Sequence, residues 1–348
     1  MAIERKPATP IEGTIEQEPE ELEILIESPE SVAIETEDGG MIIDFQPASA
    51  QKEDSDFNSN LTEYVDDNEL EKLGSKLISD YSSDRDSRKD WEEAYIKGLD
   101  QLGLKIEERT TPWAGACGVF HPMLSEAVIR FQSQSITEMF PAQGPVRTKI
   151  VGKLTEEKEK QAQRVEDYLN YMLTYEMSEY RTETEKMLFS LPLAGSAFRK
   201  VYYDPNMGRP CSIFVPAEDV VVNYGASDLA TCERTTHVMR KSTNEIRKMQ
   251  VNGFYRDVDL PEPESNYSEI NKKYDEITGE ANTFNYDDRH TILEMLVDLD
   301  LPGFEDTNES GEETGIALPY VATVDYPSGN ILSIRRNWYE DDEAKMRR

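Results

Sequence analysis

Two cysteines and two histidines are the first residues in this chain that could carry chemistry: Cys117 with His121, and Cys232 with His237. Together they make a workable zinc set, because thiolate and imidazole are the usual tetrahedral ligands of that ion. Their spacings, C-x3-H and C-x4-H, match no common finger, and the two halves lie far apart in the sequence. Pro122, directly after His121, suits a helix start better than a ligand loop. Ordinary structural roles are expected for all four. Asp298 and Asp300 raise a second possibility. Their alternate spacing at the end of an apolar run turns both carboxylates to one face, as a magnesium-dependent nuclease would require. Among 70 acidic residues such pairs arise by chance, and neither Lys nor His stands beside this one.

Phosphate and acyl chemistry find less support. The run "GKLT" at 152–155 would need a glycine where Arg147 stands, so its backbone cannot fold around phosphates in the usual way. "AGSA" at 194–197 lacks the flanking glycines of a nucleophile elbow. Neither an ATPase nor an α/β-hydrolase is expected, and no catalytic residue, cofactor or metal is assigned.

The chain's charge narrows the classes further. It has 348 residues and a formal net charge of −33, from 70 acidic against 37 basic side chains. Such a surface repels phosphate, so counterion release cannot drive tight DNA binding, and a repressor or polymerase is disfavoured. A protein that lets nucleic acid pass without sticking remains open. Three cysteines make no even disulfide framework, and with no signal peptide ahead of them a reducing compartment is expected. The longest charge-free run, Thr110 to Ser125, is too short to span a membrane and is broken by Pro112, Gly115, Gly118 and Pro122.

The elements that would position these residues follow from periodicity. Residues 1–60 hold sixteen acidic and three basic side chains with five scattered prolines, which predicts a disordered acidic arm. Residues 61–195 read as helical. Leu61, Val65, Leu70, Leu73, Leu77 and Tyr81 share one face, Gly103 is a plausible stop, and 153–193 forms one long or two consecutive helices. Within that last stretch Val165, Leu169, Met172, Leu173 and Met177 make an apolar stripe. Residues 196–258 are β-rich, with a hairpin around "PNMGRP" and a short helix capped by Thr243 or Asn244. A polar linker or surface excursion over 259–288 precedes a second β-rich region, 289–340, with a turn at "PSGN". The charged run 341–348 looks like the start of a further element, so the chain is expected to be part of a longer protein. The class is α+β, helical first and mainly antiparallel β later.

One stretch stands apart. From Trp113 to Pro141 only Glu126, Arg130 and Glu138 are charged. Pro122 and Pro141 bracket a helix whose stripe of Leu124, Ala127, Val128, Phe131, Ser135 and Met139 should face a core. Its other side, Gln132, Ser133, Gln134 and Thr137, is polar but uncharged. Neutral amides and hydroxyls suit a helix covered on both sides, which makes these four residues a candidate subunit interface. A plain core helix with an idle outer face fits the same pattern.

The run "PWAGACGVFHPMLSEAVIRFQSQSITEMFPAQGPV", with "LPLAGSAFRKVYYDPNMGRPCSIFVPAEDVVVNYGASDLATCERTTHVMRKSTNEIRKMQVNGFY" further on, resembles the portal (head-to-tail connector) proteins of tailed bacteriophages, particularly podovirus-type portals. The resemblance covers about residues 60–260 well and 288–340 less distinctly. It implies a subunit of a dodecameric ring at one capsid vertex of the virion, assembled in the host cytoplasm, with wing-like helices and wing or clip-side β elements. It also implies contacts with the major capsid protein, the terminase large subunit and tail or adaptor proteins, around a channel that passes double-stranded DNA without reading its sequence. No membrane partner is implied. Two other classes fit the composition: an acidic monomeric binding or scaffold protein, such as a DNA mimic, and the metal-dependent nuclease considered above.

Overall fold

The computed structural model describes residues 33–35, 41–43, 57–103, 110–118, 121–204, 207–263, 269–278, 289–307, 314–342 and 345–347. The chain divides into two units, 1–53 and 54–348. In the first, β1 (Ala33–Glu35) and β2 (Met41–Ile43) pair antiparallel, Ala33 opposite Ile43. The rest of the expected acidic arm falls outside the described residues, apart from its last four. Of those four, Phe57 packs against the second unit's core and Asn60 enters it. Asn60 is buried; its Nδ2 donates to the Leu332 carbonyl at 3.1 Å, and its Oδ1 accepts from the Ile334 amide at 3.0 Å. The folded region therefore starts before residue 61, because one buried amide side chain completes the backbone bonding of a distant strand.

The second unit is α+β, as the periodicity predicts. After a 3-10 turn at Leu61–Glu63 come α1 (Asp67–Ser87) and α2 (Lys89–Leu102). In α1 the buried positions are Leu70, Gly74, Leu77, Tyr81 and Asp84, a clean helical stripe. Asp67 and Glu69 lie in its first turn, where carboxylates suit the macrodipole. Gly103 ends α2, its amide donating to the Leu99 carbonyl. Then follow α3 (Met123–Met139), α4 (Glu156–Tyr171), a π-helical turn at Met172–Glu176, and α5 (Glu179–Ala194), which stops at Gly195 with φ of 80°. The expected choice between one helix and two over 153–193 thus resolves as two, joined by the π turn.

The strands β3 (Phe198–Asp204) and β4 (Arg209–Val215) form the hairpin read from "PNMGRP", with Phe198 opposite Val215. A five-stranded antiparallel meander follows: β5 (Val220–Val222), β6 (Arg234–Lys241), β7 (His290–Leu299), β8 (Leu318–Asp325) and β9 (Ile331–Arg336), in that order. Alternation on central β7 sorts the core. Leu293, Met295, Val297 and Leu299 pack with Leu70, Leu77 and Tyr81 of α1. Ile292 faces the other way, onto Ile246 and Tyr255.

Two expectations change here. The helix α6 (Thr243–Val251) is capped by Ser242, one residue earlier than expected, in a reciprocal capping box with Glu245. The stretch 259–288 is more than a linker: it contains α7 (Glu269–Thr278), whose Ile270 joins a second core with Tyr95, Leu99, Ala194 and Ala217. So few apolar residues in a polar stretch give little periodic signal, yet they suffice to dock a short helix on α2.

Candidate subunit interface

The neutral stretch folds as expected into α3, from Met123 to Met139, with Pro122 at its N-cap and Pro141 just past Phe140. Its inner line is not the expected one. Only Val128 is fully buried; Gln132 points inward with it, its Nε2 donating to the Glu185 carbonyl of α5 at 3.0 Å. Ser125 adds a bond to the Leu102 carbonyl at 3.3 Å. Phe131 and Met139, expected in the core, are 39% and 38% exposed, and Ile129 is 57% exposed. For Phe131 the reason is angular, whereas Met139 lies near the Val128 line but is the last residue of the helix. At about 100° per residue, Gln132 lies about 40° from Val128 and Phe131 about 60° away on the other side. α5 covers a single narrow line of α3, so a stripe wider than that line is left half outside.

Of the four residues proposed for an interface, Gln132 is therefore engaged within the subunit, while Ser133, Gln134 and Thr137 are exposed. The two hydroxyls turn back on their own helix, Ser133 Oγ to the Arg130 carbonyl at 3.1 Å and Thr137 Oγ1 to the Ser133 carbonyl at 2.8 Å. With both hydroxyls turned back, the exposed polar groups of α3 that demand water are Gln134 and the charged Glu126, Arg130 and Glu138, standing among exposed Ile129, Phe131 and Met139.

The next helix carries the same character further. α4 buries none of its side chains, and Val165, expected in an apolar stripe, is exposed together with Tyr168 and Tyr171. Of that stripe only Met177 is buried. α4 is held from the side by the chain before it. Asn170 accepts from the Val146 amide at 2.9 Å and donates to the Val146 carbonyl at 3.1 Å. Glu166 accepts from the Thr148 amide and hydroxyl, both at 3.0 Å, and these two bonds hold its carboxyl below the usual range. The π turn then stacks Tyr171 on Tyr175, ring centroids 5.6 Å apart, in the open. On β3, Val201 and Tyr203 are exposed as well.

Of the residues with metal-site chemistry, Cys232, His237 and Asp298 have other partners. Cys117 is exposed, whereas Cys232 is buried with its Sγ 2.7 Å from Thr235 Oγ1. His237 Nδ1 lies 3.2 Å from Glu294 Oε2. Among the described residues, no group of three His, Cys, Asp or Glu side chains is arranged to hold a metal. Asp298 accepts from Arg347 at 2.7 Å, and Asp300 is exposed beyond the strand end.

Two polar clusters escaped the sequence reading, since their members lie far apart in the chain. Lys200 of β3 and His237 of β6 meet on Glu294 of β7, which ties the hairpin to the five-stranded sheet. Thr243, His290 and Asp325 fall in line, with Thr243 Oγ1 at 3.2 Å from Nε2 and Asp325 Oδ1 at 3.8 Å from Nδ1. The second gap exceeds a hydrogen bond, and Asp325 Oδ2 is held by the Ser328 hydroxyl at 2.6 Å, so this line anchors the β8–β9 turn. No family model matches the chain, and no curated protein matches it.

Proposed function

We propose that the chain is a structural subunit of a phage portal ring, the connector at the capsid vertex through which double-stranded DNA is packaged and ejected. The observation that carries this reading is the exposed surface of α3, where Ile129, Phe131 and Met139 stand open along with Ser133, Gln134 and Thr137 and only three charged side chains, Glu126, Arg130 and Glu138. In a chain of net charge −33, a helix surface with few charges and several open apolar side chains favours contact with another protein over contact with water. The long segmental resemblance supports the same reading, as does the acidity, which suits a channel past which phosphates slide. The subunit takes part in no bond-breaking step; it repeats head to tail, each copy meeting two neighbours through different patches. Major capsid protein, terminase large subunit and tail or adaptor proteins are its proposed partners, and the virion its location.

Negative-stain imaging of the purified full chain, with sedimentation, tests the ring directly. Gln134→Glu adds a negative charge to that surface; it should leave the circular dichroism of the subunit unchanged and lower ring yield. A chain that sediments as a monomer at all concentrations, or a Gln134→Glu variant that assembles as well as the parent, overturns the reading in favour of an acidic monomeric binding protein.

A further inference from the structure

Between α3, α5, the turn after β4, and α7 lies an open cavity of about 600 Å³, walled by Phe189, Phe214 and Pro216 and reached by Glu218 and Tyr274. Glu218 sits in a 3-10 turn, Ala217–Asp219, with its Oε2 buried and without a hydrogen-bond partner. Among the described residues, the cations near it are engaged elsewhere. Arg88 donates to the backbone carbonyls of Ala217, Val220 and Glu218 at 3.3, 3.0 and 2.7 Å and pairs with Glu92 at 2.9 Å. Arg240 grips Asp219 through two bonds, 3.1 and 3.0 Å. At the rim Lys186 pairs with Glu183 at 2.7 Å, and Glu185 is held by Arg181 at 3.1 Å. On the inner side Tyr95 and Tyr274 bond hydroxyl to hydroxyl at 2.7 Å.

We propose that this cavity binds an organic cation, an alkylammonium or alkylguanidinium group, whose charge meets the Glu218 carboxyl while its stem packs on Phe189, Phe214 and Pro216. A buried carboxyl with one oxygen lacking a donor is unfavourable as an anion, and a ligand that brings the charge and the missing donor lowers that cost. The apolar walls suit a methylene stem and would repel a hydrated inorganic ion. Burial pushes the Glu218 carboxyl above its usual range, with Asp219 adding to the rise and its own backbone bond, Arg240 and Arg88 opposing it. The cation meets the ionised form, so binding expels the proton and affinity rises with pH until the carboxyl is fully ionised. Tyr95 and Tyr274, both raised by burial, stay neutral throughout that range.

The inference does not depend on ring assembly, so monomeric full-length protein serves for the test. Titration calorimetry with n-butylammonium and n-butylguanidinium should give saturable binding, with n-butanol and butyrate as neutral and anionic controls. Glu218→Gln should weaken the cations about tenfold or more, the loss of one charge-assisted bond. Glu185→Gln, at the rim, should change affinity by less than about threefold. Affinity should climb as pH rises through and beyond the ordinary carboxylate range. Nα-acetyl-lysine amide binding as well as butylammonium would identify the source as a side chain of another polypeptide; entry of the simple amine alone would identify a free small amine. No cation binding, equal binding of butanol, or undiminished binding by Glu218→Gln overturns the proposal.

Discussion

Replacing Glu294 by Gln removes the charge that joins the β3–β4 hairpin to the five-stranded sheet, and the structure sets the size of the loss. Glu294 Oε2 accepts from Lys200 Nζ and lies 3.2 Å from His237 Nδ1; the three side chains are 25%, 31% and 19% exposed. Burial is the largest single influence on this carboxyl and opposes its charge. The His237 hydrogen bond and the Lys200 ammonium, through charge and hydrogen bond together, outweigh burial and draw its pKa from 4.5 to about 2. That drop corresponds to about 3 kcal/mol. Solvent reaches all three side chains, and screening brings the expected contribution nearer 2 kcal/mol. Because the folded pKa is depressed, this stability is fully present above the ordinary carboxylate pKa and is lost as pH falls toward 2.

Urea denaturation of the wild type and Glu294→Gln, followed in steps from about pH 7 to about pH 3, isolates the effect, since all other carboxylates cancel in the difference. At neutral pH the variant should be less stable by about 2 kcal/mol, with unchanged denaturant dependence. The gap should narrow steadily once pH drops below about 4.5. A gap that stays constant with pH, or one already below about 0.5 kcal/mol at neutrality, would refute the ionic linkage between the sheets. Lys200→Met should reproduce most of the neutral-pH loss.

Four further substitutions test the packing. Gly74→Ala should destabilise by about 2 kcal/mol or more in urea despite alanine's better helix propensity, because its Cβ would stand 2.1 Å from the Gly329 carbonyl oxygen; a gain in stability would show that α1 and the β8–β9 turn are not in contact. Asn60→Ala should cost about 2–4 kcal/mol by stranding the Ile334 amide and the Leu332 carbonyl, measured by the same denaturation. Val128→Ala should cost about 1–3 kcal/mol and Phe131→Ala less than about 1 kcal/mol, and the reverse order would mean that α3 presents a different face to α5.

Much of the fold is legible in the sequence because its signals are local. The α1 stripe, the hairpin at "PNMGRP", the strands 290–299, 318–325 and 331–336, and the stop at Gly103 each follow from periodicity or turn chemistry within a few residues. What failed is non-local. Which of two apolar lines on α3 is covered depends on how α5 lies against it, and no pattern within 123–139 contains that information. Asn60 reads as one more polar residue of an acidic arm until β9 arrives, far along the chain, to use both ends of its amide. The Lys200–His237–Glu294 cluster needs the register that sets His237 opposite Glu294, which no single strand specifies.

The misplacement of the α3 stripe also bears on assembly. The periodicity of α3 asks for a wide apolar face, and the subunit covers only the line through Val128 and Gln132. α4 goes further: sixteen residues long, it buries nothing and is held through Asn170 and Glu166 by the chain at 146–148. Helices of that length draw most of their stability in water from packing on a neighbour, not from propensity. An acidic monomer would meet this demand with charge on the outer faces. α4 carries such charge in its first turn, Glu156, Glu157 and Glu159, but toward its C-terminus it presents Tyr168, Tyr171 and then Tyr175, amphipathic rings that are costly to hydrate fully and well suited to a protein neighbour. On α3, α4 and the π turn the exposed rings and apolar side chains are surfaces that the proposed ring subunit would offer to a neighbour.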